Sequence, residues 1–233
     1  MAEKQKNIEN IHTLKAPSSL FEIRRGIYKF LSAVFLNPPT VELIRIFSDA
    51  NFLSELEDLF GDDVSTCFKE FTSYRSVNFS ELEQEYRDLF RIPLGKYVTP
   101  YESVYLGTKK VGDEVIKGQL MGPHTISVKK FYEMCGIDTS ETNEIVDHIG
   151  LELEAMHILC VRHYELISEG KEEEAKNLLN LQKRFMNEHL SRWADDLCKN
   201  VYEKSDSNFY KGIALLTSRF IEMDKNTLDE LVP

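Results

Sequence analysis

Paired cysteines are missing from this chain. Its four cysteines, Cys67, Cys135, Cys160 and Cys198, form no Cys-x-x-Cys pair, which removes support for a zinc ribbon or a dithiol redox site and leaves them as reduced, structural residues. Basic residues are also short, 28 Lys and Arg against 39 Asp and Glu for a formal net charge of -11. That balance argues against a nucleic-acid backbone or an anionic membrane surface as the main partner. No run approaches the roughly 18 apolar residues needed to cross a bilayer. The start, Met-Ala-Glu-Lys-Gln-Lys-Asn, lacks the apolar stretch of a signal peptide, so a cytoplasmic protein with no integral membrane segment is expected. Sustained period-two alternation is absent, so no sheet is expected. No Gly-x-x-x-x-Gly-Lys-[Ser/Thr], Gly-x-Gly-x-x-Gly or Gly-x-Ser-x-Gly occurs, which leaves phosphate-cradling and nucleophile-elbow chemistry without support.

What is present is helical periodicity. With 42% hydrophobic residues, the 233-residue chain can bury a substantial core. Residues 1–17 read as a polar tail, and 18–233 as one all-α bundle. Ser19 with Glu22 predicts a capping box for a helix that Asn37-Pro38-Pro39 stops. Thr40 predicts a second cap, Ser54 with Glu57 a third, and Ser80 with Glu83 a further capping box. Gly136 and Gly170 mark helix ends. Between them Ile145, Ile149, Leu153, Met156, Cys160, Tyr164 and Ile167 predict a central helix of about 25 residues. Ser205-Asp206-Ser207 predicts the start of a last helix bearing Phe209, Ile213, Leu216 and Phe220 on one face.

The densest group of aromatic and loop-forming residues lies at 86–106. The helix bearing Tyr86, Leu89 and Phe90 must end near Arg91, because Pro93 removes a donor and restricts its predecessor. Gly95, Pro100, Tyr101, Val104 and Tyr105 follow, within a hinge-like loop expected at 92–123. Such aromatics serve equally as an apolar plug under a long loop or as the wall of a peptide groove. A second constellation is Glu144, Asp147, His148 and Glu152, whose spacings of three and four place them on one face of the first turns of the long helix. These residues either solvate a helix start or hold a charged partner. A di-iron site would need two Glu-x-x-His motifs on core helices. The chain offers Glu154-Ala-Met-His157 and, in its tail, Glu9-Asn-Ile-His12.

Four blocks recur in an order that resembles the TorD/DmsD-type redox enzyme maturation chaperones: Tyr86-x-x-Leu89-Phe90, Pro100-Tyr-Glu-Ser-Val-Tyr105, Glu144-Ile-Val-Asp147-His148 and Phe185-x-x-x-His189-Leu190-x-x-Trp193. The resemblance covers residues 20 to 220. It implies an all-helical cytoplasmic protein that is not an enzyme and carries no cofactor. Such a protein binds the twin-arginine leader and apo form of a molybdoenzyme subunit until the cofactor is inserted. It further implies that Glu144, Asp147 and His148, with Pro100, Tyr101, Glu102, Ser103 and Tyr105, help form the leader site. Two departures stand out: Ile145 replaces the family's usual proline, and Tyr101 its frequent tryptophan.

Residue chemistry and resemblance combine into one expectation. A leader with two arginines before an apolar stretch needs carboxylates beside an apolar aromatic groove. Glu102, Glu144, Asp147 and Glu152 are expected to face the guanidinium pair, and Tyr86, Phe90, Tyr101 and Tyr105 to line the groove. The rival readings are a chaperone of a non-exported nitrate-reductase-like subunit and a helical metal-binding protein. A monomer or a helix-exchanged dimer fits the long loop.

Overall fold

The structure, a computed structural model, describes residues 17–73, 78–112 and 114–232, with side chains described from Leu20 onward. The expected tail and the Glu9-x-x-His12 motif lie outside these residues. Among the described residues there are eleven α-helices, one 3-10 turn and one hairpin. The class is all-α.

Helix α1 runs Pro17–Leu36 and ends where the Asn37-Pro38-Pro39 sequence stops it. Its described part begins at Pro17, so the Ser19–Glu22 pair lies inside the helix. Helix α2, Val41–Ile46, is capped by Thr40, whose hydroxyl accepts from the Leu43 amide at 3.2 Å. Helix α3, Ala50–Phe60, starts earlier than the Ser54–Glu57 pair suggested, because the Asp49 carboxylate accepts from the amides of Asn51 at 2.8 Å and Phe52 at 3.2 Å. Helix α4 spans Asp62–Ser73. Helix α5, Phe79–Phe90, is capped by Asn78 rather than Ser80. In both α3 and α5 an Asp or Asn further upstream supplied the cap and drew the serine into the helix.

The 92–123 segment is not a plain loop. It contains helix α6, Glu102–Leu106, and then a hairpin of β1, Lys109–Val111, with β2, Glu114–Ile116, in antiparallel register Lys109↔Ile116. This hairpin departs from the expectation of no sheet. All six of its residues are exposed, so it has no buried face and leaves no alternating signature.

Helix α7 runs Pro123–Met134, and Gly136 follows it at φ 62°. Helix α8 covers Ile149–Ser168 in 20 residues. It starts later than periodicity indicated, and α11, Asn208–Leu231, at 24 residues is longer. Between them stand α9, Glu172–Glu188, the 3-10 turn Leu190–Arg192, and α10, Ala194–Lys204.

Helices α1 and α8 lie together along their length. The rings of Phe21 and His163 are 4.3 Å apart near one end. Near the other, Gly150 meets Leu36 so closely that an added Cβ would come within 2.5 Å of the Leu36 side chain. Helix α11 closes the bundle against α4, where a Cβ at Gly212 would sit 2.8 Å from the Phe68 ring. Phe68 in turn stacks on Phe47 at 4.0 Å. All four cysteines are free, with Cys160 and Cys198 buried. Among the described residues no helix is long and apolar enough to cross a membrane. Glu154 is exposed, while His157 Nδ1 lies 3.1 Å from the Arg25 carbonyl.

One buried charge pair ties three helices. Arg24 on α1 donates to Asp224 on α11 through Nε and through Nη2 at 3.0 Å, and Nη2 also reaches Gln182 on α9 at 2.8 Å. The Tyr28 hydroxyl donates to the same carboxylate at 2.5 Å. Both Arg24 and Asp224 are fully buried. Removing one partner leaves the other charge stranded in a low dielectric, so Asp224→Ala is expected to lower unfolding stability by about 3–5 kcal/mol in denaturant titration.

Candidate functional site

The site is assembled by two chain segments that meet edge to edge. Val98 leaves the end of α5 by donating to the Leu89 carbonyl at 2.8 Å. Pro100 and Tyr101 then run antiparallel to Asp147 and His148, with Tyr101 opposite His148. The Ile149 amide donates to the Pro100 carbonyl at 2.9 Å, and the Glu102 amide to the Asp147 carbonyl at 3.0 Å. The Asp147 carboxylate accepts from the Ser103 amide at 2.8 Å. It therefore caps α6, which has no side-chain cap of its own. His148 caps α8, its Nδ1 accepting from the Gly150 amide at 3.0 Å. The His148 amide bonds the Ile145 carbonyl at 2.9 Å in a tight turn. Glu144 and Asp147 thus precede the helix instead of lying on its first turns, because His148 takes the cap position.

Only part of the predicted set reaches solvent. Tyr86, Phe90, Pro100, Glu102, Ser103, Asp147, His148 and Glu152 are buried, whereas Tyr101, Tyr105 and Glu144 are half-buried. Tyr101 crosses the His148 ring edge-on at 5.2 Å, and its hydroxyl donates to Glu144 Oε2 at 3.0 Å. Glu144 also pairs with Arg91 Nη1. Arg91 itself donates to the Leu36 carbonyl at 2.8 Å and, through Nε, to the Tyr86 hydroxyl at 3.2 Å. Tyr86 passes that link inward to the Phe35 carbonyl at 3.2 Å. Tyr105 faces elsewhere and packs on Trp193 at 5.4 Å.

Behind this rim lies a buried polar cluster. Glu102 has both carboxylate oxygens within 3.1 Å of His189 Nδ1, and His124 Nδ1 lies 3.6 Å away. Glu152 Oε2 accepts from the Trp193 indole at 3.0 Å. Among the described residues, the buried Ser103 Oγ, Tyr132 hydroxyl, Asp147 Oδ1 and Glu152 Oε1 have no hydrogen-bond partner. Sequence reading assigned no role here to Arg91, Tyr132 or His189. The one local signal at Arg91 is its place at the helix end ahead of Pro93, which marks a helix stop and names no partner.

Electrostatics sort these groups by protonation state. Burial, then the Glu102 and Asp147 carboxylates, hold the Glu152 carboxyl well above the usual range against the Trp193 hydrogen bond. Burial likewise raises the Tyr132 phenol, with Glu152, Glu102 and Asp147 adding to it. Burial pushes His148 down to about 4, with Glu144 opposing and Arg91 assisting. A neutral His148 is also what the cap requires, since protonated Nδ1 accepts nothing. Burial acts to raise Glu144, but Arg91, His148 and the Tyr101 hydroxyl outweigh it and hold the carboxyl below its ordinary value.

The family described as nitrate reductase delta subunit matches residues 50–199. A chaperone protein TorD of Shewanella pealeana is 25% identical over 89% of this chain and 90% of its own. The TorD of Vibrio cholerae serotype O1 strain El Tor Inaba N16961 is 25% identical over 91% and 94%. A probable Tat proofreading chaperone DmsD of Haemophilus influenzae is 26% identical over 88% and 91%. These relatives are chaperones, and their family is not one of catalytic enzymes.

Two pH effects follow from the buried groups. His148 titrates lower in the folded than in the unfolded chain, so its contribution is intact above about pH 6.5 and is lost as pH falls toward 4, by an amount on the order of 3 kcal/mol. Unfolding midpoints measured across pH 7 to 4 are expected to fall less steeply in His148→Asn, whose amide oxygen can keep the cap. Glu152 titrates higher when folded, so stability is lost as pH rises above the ordinary carboxyl range. Glu152→Gln keeps an acceptor for Trp193 without a titrating carboxyl, and is expected to unfold at a higher temperature than the parent at pH 8 while matching it near pH 4.

Proposed function

Starting from a chain that belongs to the nitrate reductase delta subunit family, we propose that it is a cytoplasmic chaperone of a molybdopterin-dependent oxidoreductase. It holds the subunit's apo form by its twin-arginine leader until the cofactor is inserted, ahead of export. Support comes from the chaperone names of its relatives and from one feature of the rim.

That feature is the Glu144 carboxylate, which already holds a guanidinium. It is half-buried, ionised at neutral pH, backed by the Tyr101 hydroxyl and paired with Arg91. A carboxylate built to accept planar N–H donors fits one arginine of an incoming pair as well as it fits Arg91. Arg91 then acts as an internal stand-in, kept in place by the Leu36 carbonyl and the Tyr86 hydroxyl until a leader competes for Glu144. Tyr101 offers the adjoining aromatic face. In this reading Asp147, His148, Pro100, Glu102 and Ser103 position Tyr101 and Glu144 from behind, and Glu152 sets the charge of the interior. Tyr86 and Phe90 support Arg91 from the core, and Tyr105 anchors α6 on Trp193. The net charge of -11 favours encounter with a basic leader, and added salt weakens that attraction.

The family's description favours a second reading, a chaperone of a nitrate-reductase-like subunit that is not exported, which would be held without any reading of an arginine pair.

Isothermal titration with a synthetic twin-arginine leader separates the two. Binding is expected for the parent and is expected to weaken about tenfold or more, roughly 1.4 kcal/mol, when the two arginines become lysines or when Glu144 becomes Gln. Arg91→Gln is expected to tighten binding several-fold by vacating Glu144. Binding indifferent to the arginines would support the second reading, and absence of binding to any leader would remove the first.

A further inference from the structure

The apolar half of such a leader needs a receiving surface. Tyr86 and Phe90, expected to line it, are only 2% and 4% exposed. An open apolar groove lies elsewhere in the fold, between α1, α2, α3 and α11. It has a volume of about 550 Å3 and is lined by Ile27, Phe30, Ile46, Phe52 and Leu59 among others. Ile46 and Leu59 are 42% and 38% exposed. A cavity of this size takes a few large side chains, the scale of a peptide anchor site and not of a dimer interface.

Two further observations say what occupies it. Gly26 stands in the groove, in the interior of the 20-residue helix α1. A glycine there weakens a helix relative to alanine. Nothing in the described chain requires it, since an added Cβ would meet no atom within 4 Å. Its lack of a side chain keeps the groove open to something outside the fold. Second, among the described residues the charged side chains lining the groove are Glu55 and Asp58, with no lysine or arginine in that lining. That rim disfavours a second copy of this acidic chain and favours a peptide of net positive charge.

We propose that this groove receives the apolar stretch of the leader, a claim that rests on the reading above and assigns a second subsite to the same peptide. Helix α1 connects the two subsites. Its last residue, Leu36, accepts the Arg91 guanidinium that pairs with Glu144. Gly26 lies ten residues earlier, roughly 15 Å along the axis at 1.5 Å per residue. Along α1, the end that meets Arg91 and the glycine in the groove are therefore separated by a rise that about ten helical residues cover.

Gly26→Leu fills the groove while improving helix propensity, so fold and binding are expected to move in opposite directions. The unfolding temperature should hold or rise while affinity for the full leader falls at least tenfold. A leader truncated before its apolar stretch should bind parent and variant alike. Leu59→Asp, at an exposed position, is the second variant, expected to weaken the full leader with unfolding unchanged. A photoreactive group at position 59 should cross-link to the leader's apolar residues. If the parent binds the leader and both variants bind it equally well, the groove proposal fails while the reading of Glu144 stands. Cross-links to residues 1–16 or to a second copy would also overturn the proposal. If the parent binds no leader, the functional reading itself falls.

Discussion

Asp147 joins three parts of the molecule. Its carbonyl takes the Glu102 amide, its carboxylate takes the Ser103 amide, and the residue after it caps α8. A five-residue helix such as α6 has too few internal hydrogen bonds to persist alone. It exists because a carboxylate 44 residues downstream satisfies its first turn. Once α6 is placed, Glu102 is carried inward to His189 and Tyr101 outward to Glu144. The division of the site into a buried half and a half-exposed rim follows from this cap. Gly150 allows the same junction to press against the end of α1, because a side chain there would strike Leu36.

The interior behind the rim is polar, yet much of it carries no charge. Glu152 is held protonated by burial among other carboxylates, and His148 is held neutral by burial and by its capping role. These two groups respond to pH in opposite directions, which narrows the range over which the junction is most stable. Glu144 differs because it meets a guanidinium at the surface and remains ionised. This rim therefore presents an ionised carboxylate, Glu144, while Glu152 behind it is held protonated.

The helical class and most helix ends were legible because they rest on local chemistry: Asn37-Pro38-Pro39, Thr40, Gly136, Gly170 and Ser207 act on their own neighbours. The late starts assigned to α3 and α5 came from competition between nearby caps, where Asp49 and Asn78 prevailed over Ser54 and Ser80. The extended α8 was misread because apolar spacing continues through Ile145 even though the backbone turns there. The exposed hairpin was invisible because neither strand buries a face. The meeting of Tyr101 with Glu144 and His148 was anticipated from family order, while the role of Arg91 was not. Nothing in its neighbours announces a partner 53 residues away.

By itself the sequence determined what depends on local or compositional physics. An all-helical chain with no long apolar run, a net acidic character and a helix that must end at Arg91 before Pro93 all follow from residue type and spacing. Tertiary structure alone decided which carboxyls are open and which are enclosed. Glu102, Asp147 and Glu152 look the same in sequence as Glu144, yet three are buried and one stands at the rim. Burial is a property of the elements packed around a residue, and long-range packing leaves no trace in the spacing of the residues it encloses. The open groove beside Gly26 is of the same kind, since only the packing of α2, α3 and α11 around α1 could leave a mid-helix glycine where an added Cβ meets none of the described residues within 4 Å.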